Sequence, residues 1–412
     1  MSSQPRIAIV GGGPAGLTLG LLLHRQGIST TIFELRQKPT DEDLAQPSGM
    51  LDLHDGSGLT AIKECGLFDD FIPLTGECAE VTKLSDQHGH IIHTRQGKTL
   101  SRPEISRHAL NKLLISNLPV DTIKWGHKLL SATSSCADGH TETELDFGTH
   151  GKQSFDLVIG ADGAWSRVRN LVAGLKPHYA GRQIITFTIK HITDKYPHLA
   201  ELVGPGTYTA LGNRHGVVSQ RGSVDSARIY IFLTLADEKF AASAGIAGQP
   251  PTSAKGLLLG SDGILGHWAA QIKELVATAC DEEAADNPGG ELDIRPLYTQ
   301  PIENSWEHKP GATLIGDAAH LMLPSGEGVN LAMLDALLLS QAIVKAYEST
   351  NWNQDAAPSF FQSALDPLLK ASEADLAARA KKAAEDSQWL NGIMFGEDGA
   401  NALAQGFKRF ER

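Results

Sequence analysis

Short, wholly apolar runs alternate with apolar stripes at helical spacing along the N-terminal segment. Arg6 to Val10 reads as a buried strand, Pro14 to His24 as an apolar helix closed at Gly27, and Ser29 to Phe33 as a β-branched strand that ends on Glu34. Arg36 to Pro47 is polar and reads as a mobile loop. Leu59 to Cys65 is a short helix with Gly66 as its cap. Val81 to Thr94 alternates, which predicts a hairpin turning at Asp86 to Gly89. Ile105 to Leu118 carries Leu110, Leu113, Leu114 and Leu118 at helical spacing. Strands are expected at Ile123 to Trp125, Leu129 to Thr133, Glu142 to Phe147 and Phe155 to Ile159, with a helix from Trp165 to Val172.

From about Pro177 to Pro296 the texture changes. The β-rich runs Ile184 to Ile189, Thr207 to Leu211, Val217 to Gln220 and Arg228 to Leu235 predict an antiparallel sheet inserted into an α/β unit, followed by a helix from Ile264 to Ala279. Thr313 to Ile315 returns to the buried-strand pattern, and Val329 to Tyr347 is apolar enough to be a buried helix. Ser359 to Trp389 is a long Ala-rich helix that Pro367 is expected to bend. The fold class is therefore α/β: a Rossmann-type nucleotide-binding domain with an inserted antiparallel-sheet domain. We expect the first domain to comprise 1–74, 102–176 and 297–350, the second 75–101 and 177–296, and a C-terminal helix 356–412.

Chemistry enters at the first turn. Gly11-Gly12-Gly13-Pro14-Ala15-Gly16 sits between strand and helix, and Glu34 closes the next strand: the G-x-G-x-x-G dinucleotide fingerprint in its expected context. Gly11 allows the tight turn, Gly13 admits a pyrophosphate, Gly16 permits close packing, and Glu34 is placed for a ribose diol. This stretch leaves NAD and FAD equally open. Two later strands also end in acids. Asp156 to Gly160 delivers Asp162-Gly163 and then Ser166, Arg167 and Arg169, where Asp162 serves equally as a helix cap. Thr313 to Ile315 delivers Gly316-Asp317, and Pro324 to Gly328 opens the apolar helix. There the N–H groups of Gly328, Val329 and Asn330 could stabilise a negatively charged ring.

Composition narrows the classes. A net charge of -12 argues against a nucleic-acid partner, and no apolar run is read as a membrane span. The start MSSQPRIAIV enters the fold directly, so no signal peptide is expected. The four cysteines lack C-x-x-C spacing, which suits a reducing, cytoplasmic setting. His88, His90 and His93 decorate a hairpin, so no metal is expected. Neither a G-x-S-x-G nucleophile motif nor paired histidines at metal spacing occurs, and no catalytic side chain is singled out.

The three motifs GGGPAG, DLVIGADGAWSRVR and LIGDAAHLMLPSGEGVN together resemble the FAD-dependent aromatic hydroxylases of the para-hydroxybenzoate hydroxylase fold, over essentially the whole chain. Within that family SGMLDLHDGSG, RPEISRHALNKLL and GDAAHLM look most similar to the tetracycline-inactivating flavin monooxygenases. The resemblance implies FAD as cofactor, with Glu34 on the adenosine ribose, Asp52 and Arg107 on the FAD, and Asp162 between the FAD and nicotinamide sides. It places Asp317 on the ribityl chain and Gly326, Gly328, Val329 and Asn330 beside the isoalloxazine. It puts Pro324 over the flavin and likens Asn213-Arg214 to a substrate-side pair, for which an ordinary turn is the alternative. It also implies NADPH or NADH as transient electron donor, molecular oxygen, an aromatic or polycyclic substrate, a flavin hydroperoxide, a monomer, and a C-terminal helix bridging the two domains. Epoxidation or Baeyer–Villiger-type insertion would use the same flavin, and a non-catalytic escort-type binder is the rival from another class. Departures are Leu35 directly after the ribose acid, Ala45 to Ser48 where relatives carry an arginine, and a shorter Leu323 to Gly326 segment.

Overall fold

The computed structural model describes residues 4–97, 102–137, 139–350 and 358–410. Its first sheet has five parallel strands in the order Ala312–Leu314, Leu157–Gly160, Ile7–Val10, Thr31–Phe33, Ile123–Lys124. Ile7–Val10 lies at the centre and is buried throughout, because a parallel sheet covered on both faces needs continuous apolar residues. The helix Pro14–Arg25 packs against the helix Gly328–Ser349, which packs in turn against Pro358–Met394.

The second sheet has seven strands in the order Ile294–Thr299, His178–Ile189, Ser226–Thr234, His215–Gly222, Thr207–Gly212, Val81–Asp86, Ile91–Gln96. One face buries Ile185, Phe187, Ile229 and Ile231 against the helix Ala270–Asp286. On the other, Ile184, Leu211 and Phe232 meet Phe395 and Leu403 from the C-terminal helices. The helix Pro358–Met394 places Phe361, Leu365 and Leu369 in the first core and Leu390 and Ile393 against the second sheet. Its 37 residues continue through Pro367. At 1.5 Å per residue it reaches about 55 Å, so it bridges both sheets as expected.

Several local expectations are corrected. The polar stretch after Glu34 contains a helix, Asp41–Ala45. Thr40 caps it by accepting from the Asp43 amide at 3.1 Å, while Asp43 accepts from the Thr40 amide at 2.9 Å. Ile105 belongs to a strand, Glu104–Ser106, paired antiparallel with Met50–Asp52, and the helix begins at Arg107 behind the Ser106 cap. The expected helix at Ile264 begins at Ala270, and the one at Trp165 shrinks to Arg169–Val172. The inserted sheet is not wholly antiparallel, since Thr207–Gly212 runs parallel to Val81–Asp86. The single C-terminal helix expected over 356–412 is two helices, Pro358–Met394 and Gly399–Phe410. Residues 98–101 and 351–357, where two expected domain boundaries fall, lie outside the described residues.

The helix Gly328–Ser349 also corrects the reading that no run is apolar enough to span a membrane. Its 22 residues reach a mean hydropathy of 1.4 over 18 residues. The structure uses that apolarity in the core, where Leu339 and Ile343 are buried between neighbouring helices. Replacing Ile343 with Ala should therefore lower unfolding stability by about 2–5 kcal/mol, read from urea denaturation. An unchanged midpoint would place Ile343 outside the packed core.

Candidate functional site

The glycine turn divides its work between packing and access. Gly11 has φ +115°, and a Cβ there would lie 2.2 Å from the Ala161 carbonyl oxygen. A Cβ on Gly16 would lie 2.0 Å from the Gly11 carbonyl, so Gly16 is what lets the helix approach the strand. A Cβ on Gly13 would meet nothing within 4 Å, which leaves the backbone open to a ligand. Glu34 is buried and its carboxylate is fixed: one oxygen accepts from the Gly12 amide at 2.7 Å, the other from the Arg36 amide at 2.9 Å.

Gly11, Gly13, Glu34 and Arg36 line a cavity of about 420 Å³ with Asp162, Trp165 and Arg167. A second cavity of about 240 Å³ is lined by Pro14, Ala15, Arg107, Asp317, Gly328 and Val329. Gly13, Ala161 and Gly163 border both, so the two form one elongated trough. The N-termini of Pro14–Arg25 and Gly328–Ser349 open on it, each offering unpaired N–H groups and the positive end of a helix dipole.

Charges along the trough are held apart from protein partners. Burial lowers the pKa of the Arg107 guanidinium, which pairs with no acid among the described residues. Burial raises the Asp317 carboxyl, against the pull of His320, Arg107 and Arg169. Asp162 spends one oxygen on the Arg167 amide at 2.7 Å, the capping role open to it, while its other oxygen is buried without a partner. Arg169, itself buried, donates to the carbonyls of Ala318 (2.7 Å), Asp317 (2.8 Å) and Ala164 (2.8 Å), tying the two acid-bearing turns together.

Behind Asp317 lies a buried ion triad that sequence reading missed. Asp335 accepts from the Gly316 amide at 3.1 Å, lies 2.5 Å from His320 Nε2, and accepts from Arg379 Nη1 at 2.9 Å. Burial alone would raise the Asp335 carboxyl, but His320 and Arg379 hold it below the usual range. An acid in the middle of the apolar run Leu331 to Leu339 is the signal that could have found it, because a buried carboxylate needs partners.

Other expected site residues lie elsewhere. Asn330 is fully buried and stitches the helix start to the preceding loop: it donates to the Asp52 carbonyl and accepts from the His54 amide, both at 2.9 Å. Its side chain is thus spent, while its backbone N–H, the group expected beside a ring, stays in the first turn of the helix. Asp52 turns to His54 Nε2 at 2.8 Å, not to the trough, and Glu327 approaches His54 Nδ1 at 3.5 Å. Gly326, with φ +88°, sits against Asp52. The Pro324 carbonyl accepts from Asn391 at 2.9 Å, beside a third cavity of about 470 Å³ that includes Leu323. Asn213 and Arg214 form a left-handed hairpin turn; Asn213 contacts His267 at 2.6 Å and Arg214 pairs with Glu397 at 2.9 Å. Both are exposed at the end of the sheet, in a turn of the kind expected as the alternative to a substrate-side pair.

A family model described as an FAD binding domain matches residues 5–244 and 270–355. Monooxygenase penA of Penicillium thymicola is 35% identical over 98% of this chain and 98% of its own. The chain belongs to the FAD-dependent monooxygenases. A crystal structure of CtdE in complex with FAD and a substrate shares the fold at a TM-score of 0.74 and 17% identity, covering 97% of this chain and 92% of that one. Tetracycline destructase Tet(51) shares it at 0.63 and 16%, covering 99% and 98%.

The residues of this monooxygenase fit FAD. Glu34 would take the ribose, the open Gly13 backbone and the first helix start the pyrophosphate, and Arg107 and Asp317 the chain leading to the ring. Gly328 and Val329 would border the isoalloxazine. Arg36, one residue after Leu35, lines the trough beside Glu34.

Two outcomes follow. Replacing Arg379 with Met strands the Asp335 charge, so unfolding stability should fall by about 3–5 kcal/mol and FAD should dissociate more readily on dialysis. Wild-type retention would remove the triad from cofactor binding. His54, held by Asp52 and Glu327, has its pKa raised from 6.5 to about 9. Its contribution is complete below 6.5 and is lost as pH rises through about 9. Unfolding stability, read from urea midpoints, should fall over that interval in the wild type but stay flat in His54→Gln; parallel profiles would contradict this.

Proposed function

We propose that this monooxygenase is an NAD(P)H-consuming hydroxylase of an aromatic or polycyclic small molecule, working in specialised metabolism. The observation that carries the reading is a juxtaposition: Leu323 lines the 470 Å³ cavity and Gly328, a little further along the same loop, lines the trough. A volume of that order suits a drug-sized ligand. FAD, once reduced, supplies the activation of molecular oxygen. The chain's own tasks are to hold the ring against the helix start at Gly328, to orient the substrate, and to keep water out with the long C-terminal helix that closes the cavity at Ala384, Ser387 and Gly392. Gly56-x-Gly58-x-x-Ala61 only weakly mimics a second nucleotide fingerprint, and we take the electron donor to visit transiently.

The reading assigns the nucleotide work to 1–74, 102–176 and 297–350 and substrate contact to 75–101 and 177–296. Separate hydrophobic clusters around Ile9 and around Ile229 support that division. The buried, unpaired thiols of Cys65, Cys78 and Cys280 suit a reducing compartment, and we take the enzyme to be a cytoplasmic monomer.

The test is NADPH oxidation in air by FAD-loaded protein against a panel of phenols, quinones and fused-ring compounds. Oxidation stimulated by at least one member, with an oxygenated product, is the expected result. A colourless protein that takes up no FAD, or oxidation yielding only peroxide with every compound, would overturn the hydroxylase reading.

A further inference from the structure

We propose that His54 is a proton donor for the ring end of the trough, an imidazolium clasped between Asp52 and Glu327 at the start of the helix Gly328–Ser349. The inference rests on the hydroxylase reading only in assigning the proton to turnover. Delivery of the proton needs neither substrate nor nicotinamide.

Both ring nitrogens of His54 face carboxylates. Nε2 lies 2.8 Å from Asp52 Oδ2, and Nδ1 lies 3.5 Å from Glu327 Oε1. A neutral imidazole carries one N–H and can serve only one of them. Two acceptors on opposite nitrogens call for the doubly protonated ring. The two acids raise the His54 pKa to about 9 against the pull of burial, and His54 in turn holds the Glu327 carboxyl below its usual range. The other charges nearby bear on the carboxylates. Arg102 Nη1 lies 3.9 Å from Asp52 Oδ2, and Glu104 stands opposite Asp52 across the antiparallel ladder.

The backbone fastens this clasp to the cofactor trough. The His54 amide donates to Asn330 Oδ1 at 2.9 Å, and Asn330 Nδ2 donates to the Asp52 carbonyl at 2.9 Å. Asn330 belongs to the first turn of the helix, and Gly328, directly after Glu327, borders the trough. Hydroxylation inserts one oxygen atom of O₂ into a C–H bond. The other leaves as water, made from one hydride of the nicotinamide and one further proton. His54 supplies that proton. Its Nδ1–H bond breaks, an O–H bond forms at Glu327, and the neutral ring keeps its remaining proton on Nε2 against Asp52. The side chain retains 14% of its surface, through which water recharges Nδ1. The transfer itself oxidises and reduces nothing.

Two measurements test this. In cofactor-free protein labelled with ¹⁵N-histidine, the ring signals lost in His54→Gln should titrate well above 6.5 in the wild type. Asp52→Asn and Glu327→Gln should each lower that midpoint. In FAD-loaded protein reduced with dithionite, reoxidation by air is then followed without donor or substrate. The reduced, anionic cofactor brings two electrons and one proton, and dioxygen needs a second proton to leave as hydrogen peroxide. The rate should fall as pH rises through about 9. At neutral pH His54→Gln should be slower by about tenfold, with a flat profile, and Glu327→Gln by several-fold. Imidazole added to the buffer should restore His54→Gln, which it would not do for a merely structural fault. A midpoint at or below 6.5, a His54→Gln profile parallel to the wild type, or a slow rate that imidazole leaves unchanged would overturn the proposal. Should His54→Gln fold poorly or lose FAD, Asp52→Asn and Glu327→Gln decide, and wild-type rates and profiles in both would sink it. A His54-dependent profile without any substrate-stimulated NADPH oxidation would sink the hydroxylase reading alone. Oxygenated product alongside a profile independent of His54 would sink this inference alone.

Discussion

The Asp335 carboxylate, fully removed from water, is the point through which three distant parts of the chain are held in register. It takes the Gly316 amide from the turn that presents Asp317, His320 from the short helix after that turn, and Arg379 from the C-terminal helix. A buried charge is tolerated only when its partners are all in place. The acid-bearing turn, the apolar helix and the long C-terminal helix are thus coupled. Arg169 extends the coupling to the turn around Asp162 through backbone carbonyls alone. The trough is therefore rigid where its charged groups emerge, and those groups are the ones left without protein partners.

That arrangement separates two kinds of polar group. Asn330 and Arg169 have their hydrogen bonds satisfied and set geometry. Arg107, Asp317, one oxygen of Asp162, Arg182 and the Gln300 amide are left wanting a partner. The first three border the trough and the last two the neighbouring cavity.

Much of this was legible in the sequence because the signals are local. A buried strand, a glycine turn, a helix and a terminal acid lie within one continuous stretch, and each of the three motifs is short. The strands Met50–Asp52 and Glu104–Ser106 were not legible, since three-residue strands carry no periodicity and pair only across a long loop. The start of the strand His178–Ile189 was hidden by an irregularity between Tyr179 and Gln183, which concealed the face on which Arg182 lies. Asn330 was read from its place at a helix start, whereas its side chain answers to residues far back in the chain. Asn213 and Arg214 matched a family pattern locally, but their left-handed backbone commits them to a turn.

The central claim is that the trough running from Glu34 to Gly328 holds FAD in one orientation. A crystal structure of the FAD-loaded protein tests it most directly. The account predicts adenosine ribose on Glu34, pyrophosphate at the Gly13 backbone, and the isoalloxazine beside Gly328 and Val329 with its outer edge toward Leu323. Density for FAD in the reverse orientation, or outside the trough, would contradict it.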